Sequence, residues 1–433
     1  MRLFDTYTRS LVDLPPPPGP IRMYFCGPTV YQRIHIGNAR PFVLSLWMKR
    51  WLEETGYEVT LAENITDIND KIYDAARPHG IPSGELAAKA AGWYVEDTTA
   101  LGVGRPDVEP RATESVPEIV DLIGRLVDRG LAYESRGDVY FRVARFPEYG
   151  RLSGRTEEGS VRNPSEEEEP SELKEDPRDF ALWKAHKEAE DTWWESPWGR
   201  GRPGWHIECS AMAEAHLGPV FEIHGGGNDL IFPHHENEIA QSRGAGDEFA
   251  TLWMHNGMLQ LIGEKMSKSL GNIVSLHDAL AEWGAETLLL YFLGAHWRKP
   301  IDFSDEALEQ ARAQADGFRN AFVADGDSGS HAGWGRFAEA LDDDFNTVEA
   351  LTVMHEWRAA GNLGPLRRAL GLFGLGSLAE PAVPPTELEA LAQERADART
   401  RGDFAAADRL RGEIEAAGWE IRDVAAGFQL VPK

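Results

Sequence analysis

Cys26-Gly27-Pro28-Thr29-Val30-Tyr31-Gln32-Arg33-Ile34-His35-Ile36-Gly37-Asn38 joins a short apolar run to an amphipathic one, and the way this junction folds sets the fold class. Upstream, Ile21 to Cys26 reads as a strand. Downstream, Pro41 to Glu54 reads as a helix, with Val43, Leu46, Trp47 and Trp51 at helical spacing and Gly56 as a stop. Proline is tolerated in a first turn, so the helix is expected to begin just before Pro41. Tyr57 to Ala62 reads as the next strand. Strand, helix and strand in this order imply a parallel, Rossmann-like α/β sheet. Ligands of such sheets bind beyond the carboxyl ends of the strands, where a helix N-terminus offers N–H groups to an anion. Gly37 would let a ligand approach the backbone, and His35 could donate to a phosphate. His-x-Gly-Asn by itself is a weak signal that a turn with a structural histidine satisfies equally well.

The chain has 433 residues, which suggests two to four domains. Its net charge is −27, from 44 Lys and Arg against 71 Asp and Glu. Such a surface repels nucleic acid at long range, which argues against nonspecific coating of a polyanion. It leaves room for a specific RNA enzyme with its basic groups on one face. No apolar run approaches the ~20 residues that cross a bilayer, so no membrane association is expected. Met1 to Ser10 lacks a basic region followed by an apolar stretch, so no secretory leader is expected either. The 2 cysteines exclude a disulfide-built scaffold and point to a reduced, cytoplasmic location.

Six segments are expected. Residues 1–104 and 201–262 form the two halves of the α/β domain, and 105–200 an insertion between them. Residues 263–303 carry a lysine-rich loop and the region behind it, 304–380 a helical bundle, and 385–433 a small polar unit behind a linker from Pro381 to Pro385. Within the insertion, the acidic run at 165–172 reads as a solvated loop. Ser304 before Asp305 and Glu306 fits a helix N-cap. In the last unit, Glu387 to Gly418 reads as helix-like and Trp419 to Val431 as strand-like.

A second constellation is Glu264-Lys265-Met266-Ser267-Lys268-Ser269-Leu270-Gly271-Asn272. Lysines on a mobile loop can follow a triphosphate as charge moves to the leaving pyrophosphate. The third accounts for both cysteines. Cys209 lies in Gly204-Trp205-His206-Ile207-Glu208-Cys209, ahead of His224-Gly225-Gly226-Gly227-Asn228-Asp229 and Pro233-His234-His235-Glu236-Asn237-Glu238. His234 and Glu238 share one face if helical. Two thiolates, an imidazole and a carboxylate suit Zn²⁺. A buried, inert Cys26 or a Cys26–Cys209 disulfide remains open on these residues.

Together these motifs, with Asn64-Ile65-Thr66-Asp67-Ile68-Asn69-Asp70-Lys71, Leu341-Asp342-Asp343-Asp344-Phe345-Asn346-Thr347 and Asp403-Phe404-Ala405-Ala406-Ala407-Asp408-Arg409-Leu410-Arg411, resemble the cysteinyl-tRNA synthetases over nearly the whole chain. That family belongs to the class I aminoacyl-tRNA synthetases. The resemblance implies a class I Rossmann-like catalytic domain with an insertion, a helical bundle and a C-terminal anticodon-binding unit at 385–433. It implies one Zn²⁺ per chain on Cys26, Cys209, His234 and Glu238, with Thr66, Trp205 and His224 lining the cysteine pocket. It implies ATP with Mg²⁺ at Gly27, Pro28, Thr29, His35, Gly37, Asn38, Asp229, Lys265, Ser267, Lys268 and Ser269, with His35, Asn38, Lys265 and Lys268 catalytic. The implied partners are tRNA(Cys), L-cysteine and ATP, and the implied state is a cytoplasmic monomer. Asn38 stands where the class motif usually reads His, and Asn346 to Gly376 is short for the family's bundle. Three alternatives stay open: a ligase joining cysteine to an amino sugar, a simple nucleotidylyltransferase, and a non-catalytic RNA-binding paralogue.

Overall fold

The chain opens with an antiparallel hairpin of β1 (Arg2–Asp5) and β2 (Ser10–Asp13), then enters β3 (Pro20–Phe25), α1 (Ile36–Glu54) and β4 (Glu58–Glu63). The computed structural model describes residues 1–155, 171–261, 264–265, 274–322, 333–380, 384–424 and 427–432. β3 and β4 pair in parallel from Pro20↔Glu58 to Phe25↔Glu63. Between them α1 buries Phe42, Val43, Leu46, Trp47, Met48 and Trp51. This helix starts at Ile36, earlier than the start expected just before Pro41, so Pro41 sits in its second turn. The start is fixed from outside, because the N–H of Ile36 donates to the Val274 carbonyl at 3.0 Å. Having no N–H, Pro41 leaves the Gly37 carbonyl outside the helix ladder. The first turn therefore contains Gly37 and Asn38, which places the motif on the helix N-terminus itself.

After β4 come α2 (Asp70–Ala76), α3 (Ser83–Ala100) and α4 (Val116–Asp128). A separate antiparallel sheet follows, β5 (Ala132–Ser135), β6 (Asp138–Phe141), β7 (Phe180–Ala185) and β8 (Gly201–Pro203), in that order. Next, α5 (Trp205–Leu217) returns the chain to β9 (Val220–Gly227), α6 (Glu236–Ala245) and β10 (Phe249–Asn256). The central sheet has the order β10-β9-β3-β4, all parallel. From β3 the chain moves to β4 on one side, then to β9 on the other. The order reverses between β3 and β9, and such a switch point opens a crevice at the strands' carboxyl ends.

Two short strands, β11 (Leu259–Leu261) and β12 (Glu264–Lys265), lead past α7 (Leu276–Trp283) and α8 (Ala285–Leu293) to β13 (Ile301–Asp302), which pairs with β11. Then come α9 (Asp305–Ala321), α10 (Trp334–Asp342), α11 (Thr347–Ala360) and α12 (Leu363–Leu372). Ser304 caps α9 by accepting from the N–H of Ala307, as its sequence signature implies. The bundle shares one core with α1, for Trp47 packs edge-on to Phe373 and Trp51 to Phe337.

The expected single helix-like stretch at 387–418 is two helices, α13 (Thr386–Thr400) and α14 (Phe404–Ala416), broken at Gly402 with φ +75°. The strand-like stretch is a hairpin of β14 (Trp419–Val424) and β15 (Gly427–Pro432). Trp419 and Phe428 pack on this unit's own core of Leu388, Ala392, Ile414, Ile421 and Leu430. Phe404 is 66% exposed.

Candidate functional site

A cleft of about 280 Å³ opens over the switch point. One wall is Cys26 to Thr29 and Tyr31 to Asn38 without Ile36, at the N-terminus of α1. Opposite are Trp205, Gly227, Asp229, Asn256, Met258 and Leu259, with Glu63 and Lys71 beside them. The first wall is held by backbone pairing. The N–H of Val30 donates to the Thr66 carbonyl at 3.0 Å, and the N–H of Gly27 donates to Asn64 Oδ1 at 3.0 Å. A Cβ on Gly27 would lie 1.7 Å from the Asn64 carbonyl oxygen, so only glycine fits there. The His35 ring closes over Gly37, where a Cβ would lie 2.8 Å from it.

Both edges of the lysine motif border the cleft. Val274 accepts from Ile36, and the N–H of Leu276 donates to the Ile34 carbonyl at 2.9 Å. On the other side, β11 and β12 carry the chain from the cleft residue Leu259 to Lys265. The backbone of Lys265 belongs to β12, whereas Ser267, Lys268 and Ser269 lie outside the described residues, as does the acidic run at 165–170.

At the floor of the cleft, ligand atoms of Cys26, Cys209, His234 and Glu238 all lie within 4.8 Å of one another, and all four residues are buried. They come from the end of β3, from α5, from the turn before α6, and from α6. Both cysteines are free thiols, which removes the disulfide. Burial pushes the Cys26 thiol well up, and Cys26 Sγ donates to Glu238 Oε1 at 3.5 Å. The hydrogen bond from Cys26, aided by His234, draws Cys209 down to about 6. Burial opposes protonation of His234, but Cys209 and Glu238 outweigh it and leave His234 raised.

A second donor set shares Cys26 and Glu238 but takes His224 and His235. In it, His224 Nε2 is already bonded to Glu238 Oε2 at 2.8 Å. The first set stands at the cleft, since Cys26 and Trp205 line it and the Trp205 ring stacks on His234 at 4.3 Å. Its donors, two sulfurs with a nitrogen and an oxygen, fit a four-coordinate zinc ion. Glu238 is in turn oriented by His224, and His234 Nδ1 lies 2.8 Å from His206 Nδ1.

Trp205 and Asp229 line the cleft. Thr66 and His224 lie behind its wall, 1% and 0% exposed. Sequence reasoning missed several residues. Asn64 bonds Gly27 and donates to Thr66 Oγ1 at 3.1 Å, and a hint of it lay in its place beside Thr66. Buried His255, held near 3 by burial, bonds His235 at 2.7 Å and Thr6 at 2.8 Å, and no spacing signalled it. Arg40 carried no signal of its own, and Lys71 closed a family-like segment with no role attached to it.

Residues 15–313 match the family described as tRNA synthetases class I (C) catalytic domain, and residues 336–363 match the DALR domain. In three dimensions the chain is similar to Mycobacterium tuberculosis methionyl-tRNA synthetase in complex with methionyl-adenylate, at TM-score 0.59 and 17% identity, covering 90% of this chain and 96% of that one. It is likewise similar to Agrobacterium radiobacter LeuRS in a ternary complex with tRNA, at TM-score 0.59 and 12% identity, covering 87% and 88%. Fold and motifs together define a class I tRNA synthetase. Among curated relatives, the cysteine–tRNA ligase of Cupriavidus necator is 42% identical over 99% of this chain and 98% of its own length. That of Symbiobacterium thermophilum is 42% identical over 99% of both. The chain belongs to the cysteine–tRNA ligase family.

Proposed function

We propose that the chain activates L-cysteine with ATP and passes the cysteinyl group to the 3′-terminal ribose of tRNA(Cys). The observation that carries this reading is one cleft with a buried thiol–imidazole–carboxylate cluster at its floor and a helix N-terminus along its wall. Cys26, Cys209, His234 and Glu238 hold one Zn²⁺. When bound, zinc supplies a preference for a soft thiolate that serine's hydroxyl does not meet. Trp205 flanks the amino-acid end, and Thr66 and His224 support it from behind.

ATP, accompanied by Mg²⁺, lies along Gly27 to Thr29 and His35 to Asn38, within reach of Asp229. The cysteine carboxylate attacks the α-phosphate and pyrophosphate leaves. His35 and Asn38 donate to the phosphates, while Lys265 and Lys268, with Ser267 and Ser269, follow the charge onto pyrophosphate. Asn38 keeps its donor role because an amide carries N–H groups at every pH. A ribose hydroxyl then attacks the acyl carbon and AMP leaves. Residues 385–433 meet the anticodon end of the tRNA, a reading supported by exposed Phe404 and the arginines of α14. The enzyme works as a cytoplasmic monomer. Among the described residues, no helix is long and apolar enough to cross a membrane.

The test is ATP–pyrophosphate exchange with each amino acid, beside metal analysis of protein prepared without chelator. Exchange that needs cysteine and fails with serine, with about one zinc per chain, is expected. Equal exchange with serine, or metal-free active protein, overturns the reading. Cys209→Ser should lose zinc and the preference for cysteine together.

A further inference from the structure

Lys71 is the second residue of α2, where its N–H donates to the side chain of the N-cap Asn69 at 3.1 Å. Its ammonium lies 5.9 Å from the centroid of the Trp205 ring, and Trp205 stacks on His234. Lys71 therefore lines the cleft beside Trp205, at its amino-acid end. Its neighbours tie it to the inserted sheet. Asp70 pairs with Lys184 of β7 and with buried Arg202 of β8, and the Tyr73 hydroxyl donates to the Thr192 carbonyl at 3.3 Å. Lys71 thus stands at the seam between the inserted sheet and the cleft.

The charge pattern makes this position unusual. Arg33, which also lines the cleft, is committed to Asp97 and Glu96. Lys71 is exposed and has no carboxylate partner among the described residues. An unneutralised ammonium facing a cleft that also holds Glu63 and Asp229, on a chain of net charge −27, is placed for an incoming anion. The nucleotide has its own wall, and the thiol has the cluster at the floor. The remaining reactant is the 3′ end of the tRNA, whose terminal hydroxyl must reach an acyl carbon between those two ends. Lys71, beside Trp205 at that seam, lines the same cleft.

We infer that Lys71 binds a phosphodiester of the tRNA 3′ end and holds the terminal ribose for transfer. The inference rests on the proposed placement of cysteine at the cluster. Its chemistry, an ammonium on a phosphate oxygen, is shared with the α-phosphate of ATP, and the two half-reactions separate these sources.

The experiment compares Lys71→Met and Lys71→Arg with the parent enzyme. Pyrophosphate exchange reports the first step. Single-turnover transfer from preformed cysteinyl-adenylate reports the second. For Lys71→Met, the ratio of transfer rate to exchange rate falls at least about tenfold, the scale of one lost charge-assisted contact. The slope of log affinity for tRNA against log salt becomes shallower by about 0.7, the value for one phosphate of a single strand. Lys71→Arg restores most of the ratio. A ratio that stays level, whether both rates fall together or neither changes, overturns the inference. So does a drop in exchange greater than the drop in transfer, which assigns Lys71 to ATP. Failure of the underlying reading looks different, because the parent enzyme itself would then lack cysteine-dependent exchange.

Discussion

Replacing Arg40 with methionine tests how the cleft wall is anchored. Arg40 lies on α1, is 3% exposed, and lines a small void with Leu44, Trp47 and Phe292. Its guanidinium donates to the carbonyls of Gly257, of Lys299 at 2.8 Å and of His296 at 3.2 Å. No carboxylate among the described residues pairs with it, and burial pulls it down to about 10. Three charge-assisted bonds at ~1.5–3 kcal/mol each would suggest a large loss. Two of the acceptors keep other donors, however. Asn256 Nδ2 bonds the Gly257 carbonyl at 3.0 Å, and the N–H of Lys299 bonds that of His296 at 2.9 Å. Only the Lys299 carbonyl is left without a donor, which costs ~1–3 kcal/mol. Methionine keeps the apolar stem and removes an unpaired buried charge, so Arg40→Met should destabilise by about 2 kcal/mol.

The functional effect follows from what Arg40 holds. Met258 and Leu259 line the cleft, and β11 carries the chain on to Lys265. Slack there should raise the KM for ATP roughly tenfold while leaving the KM for cysteine within about twofold, since a small misplacement of charge-stabilising groups is felt in the step they serve. Tryptophan fluorescence in urea reads the stability, and pyrophosphate exchange reads the two constants. A loss above about 5 kcal/mol would refute the accounting of shared carbonyls. An unchanged KM for ATP at reduced stability would refute the anchoring role.

Three further outcomes are expected. Lys268→Ala should slow adenylate formation by roughly two to three orders of magnitude with little change in cysteine binding, read by single-turnover kinetics. Deleting 385–433 should leave cysteine-dependent exchange largely intact and sharply weaken tRNA charging, whereas unchanged charging would give that unit another job. Burial lifts Glu63 to about 7, opposed by the Tyr94 hydroxyl, Arg105 and Ser45 and assisted by Glu109. The unfolded carboxylate titrates near 4.5, so the folded state holds the extra proton between these values and stability falls as pH rises through them. Glu63→Gln should therefore stabilise at pH 8 by up to about 3 kcal/mol and do little at pH 4; equal effects at both would contradict the assignment.

Local pattern in the sequence was enough for the β3–α1–β4 unit and the cap at Ser304, because periodicity and capping are properties of consecutive residues. It also drew both cysteines into one constellation, since a pair of rare residues inside distinctive motifs needs no coordinates to be noticed. It could not begin α1 at Ile36, because that start depends on the Val274 carbonyl, far along the chain. Nor could it divide the tail into two helices, where the polar run 387–418 shows no gap until Gly402 turns left-handed. Cys26 and Glu238 are 212 residues apart, and their meeting is the work of a sheet that reverses its order between β3 and β9. Arg40 looks like any other basic residue in the sequence, and Lys71 closes a family-like segment that gives it no role. Only the tertiary structure buries one against three carbonyls and leaves the other uncompensated at a cleft, because charge acquires its meaning from the groups that surround it in space.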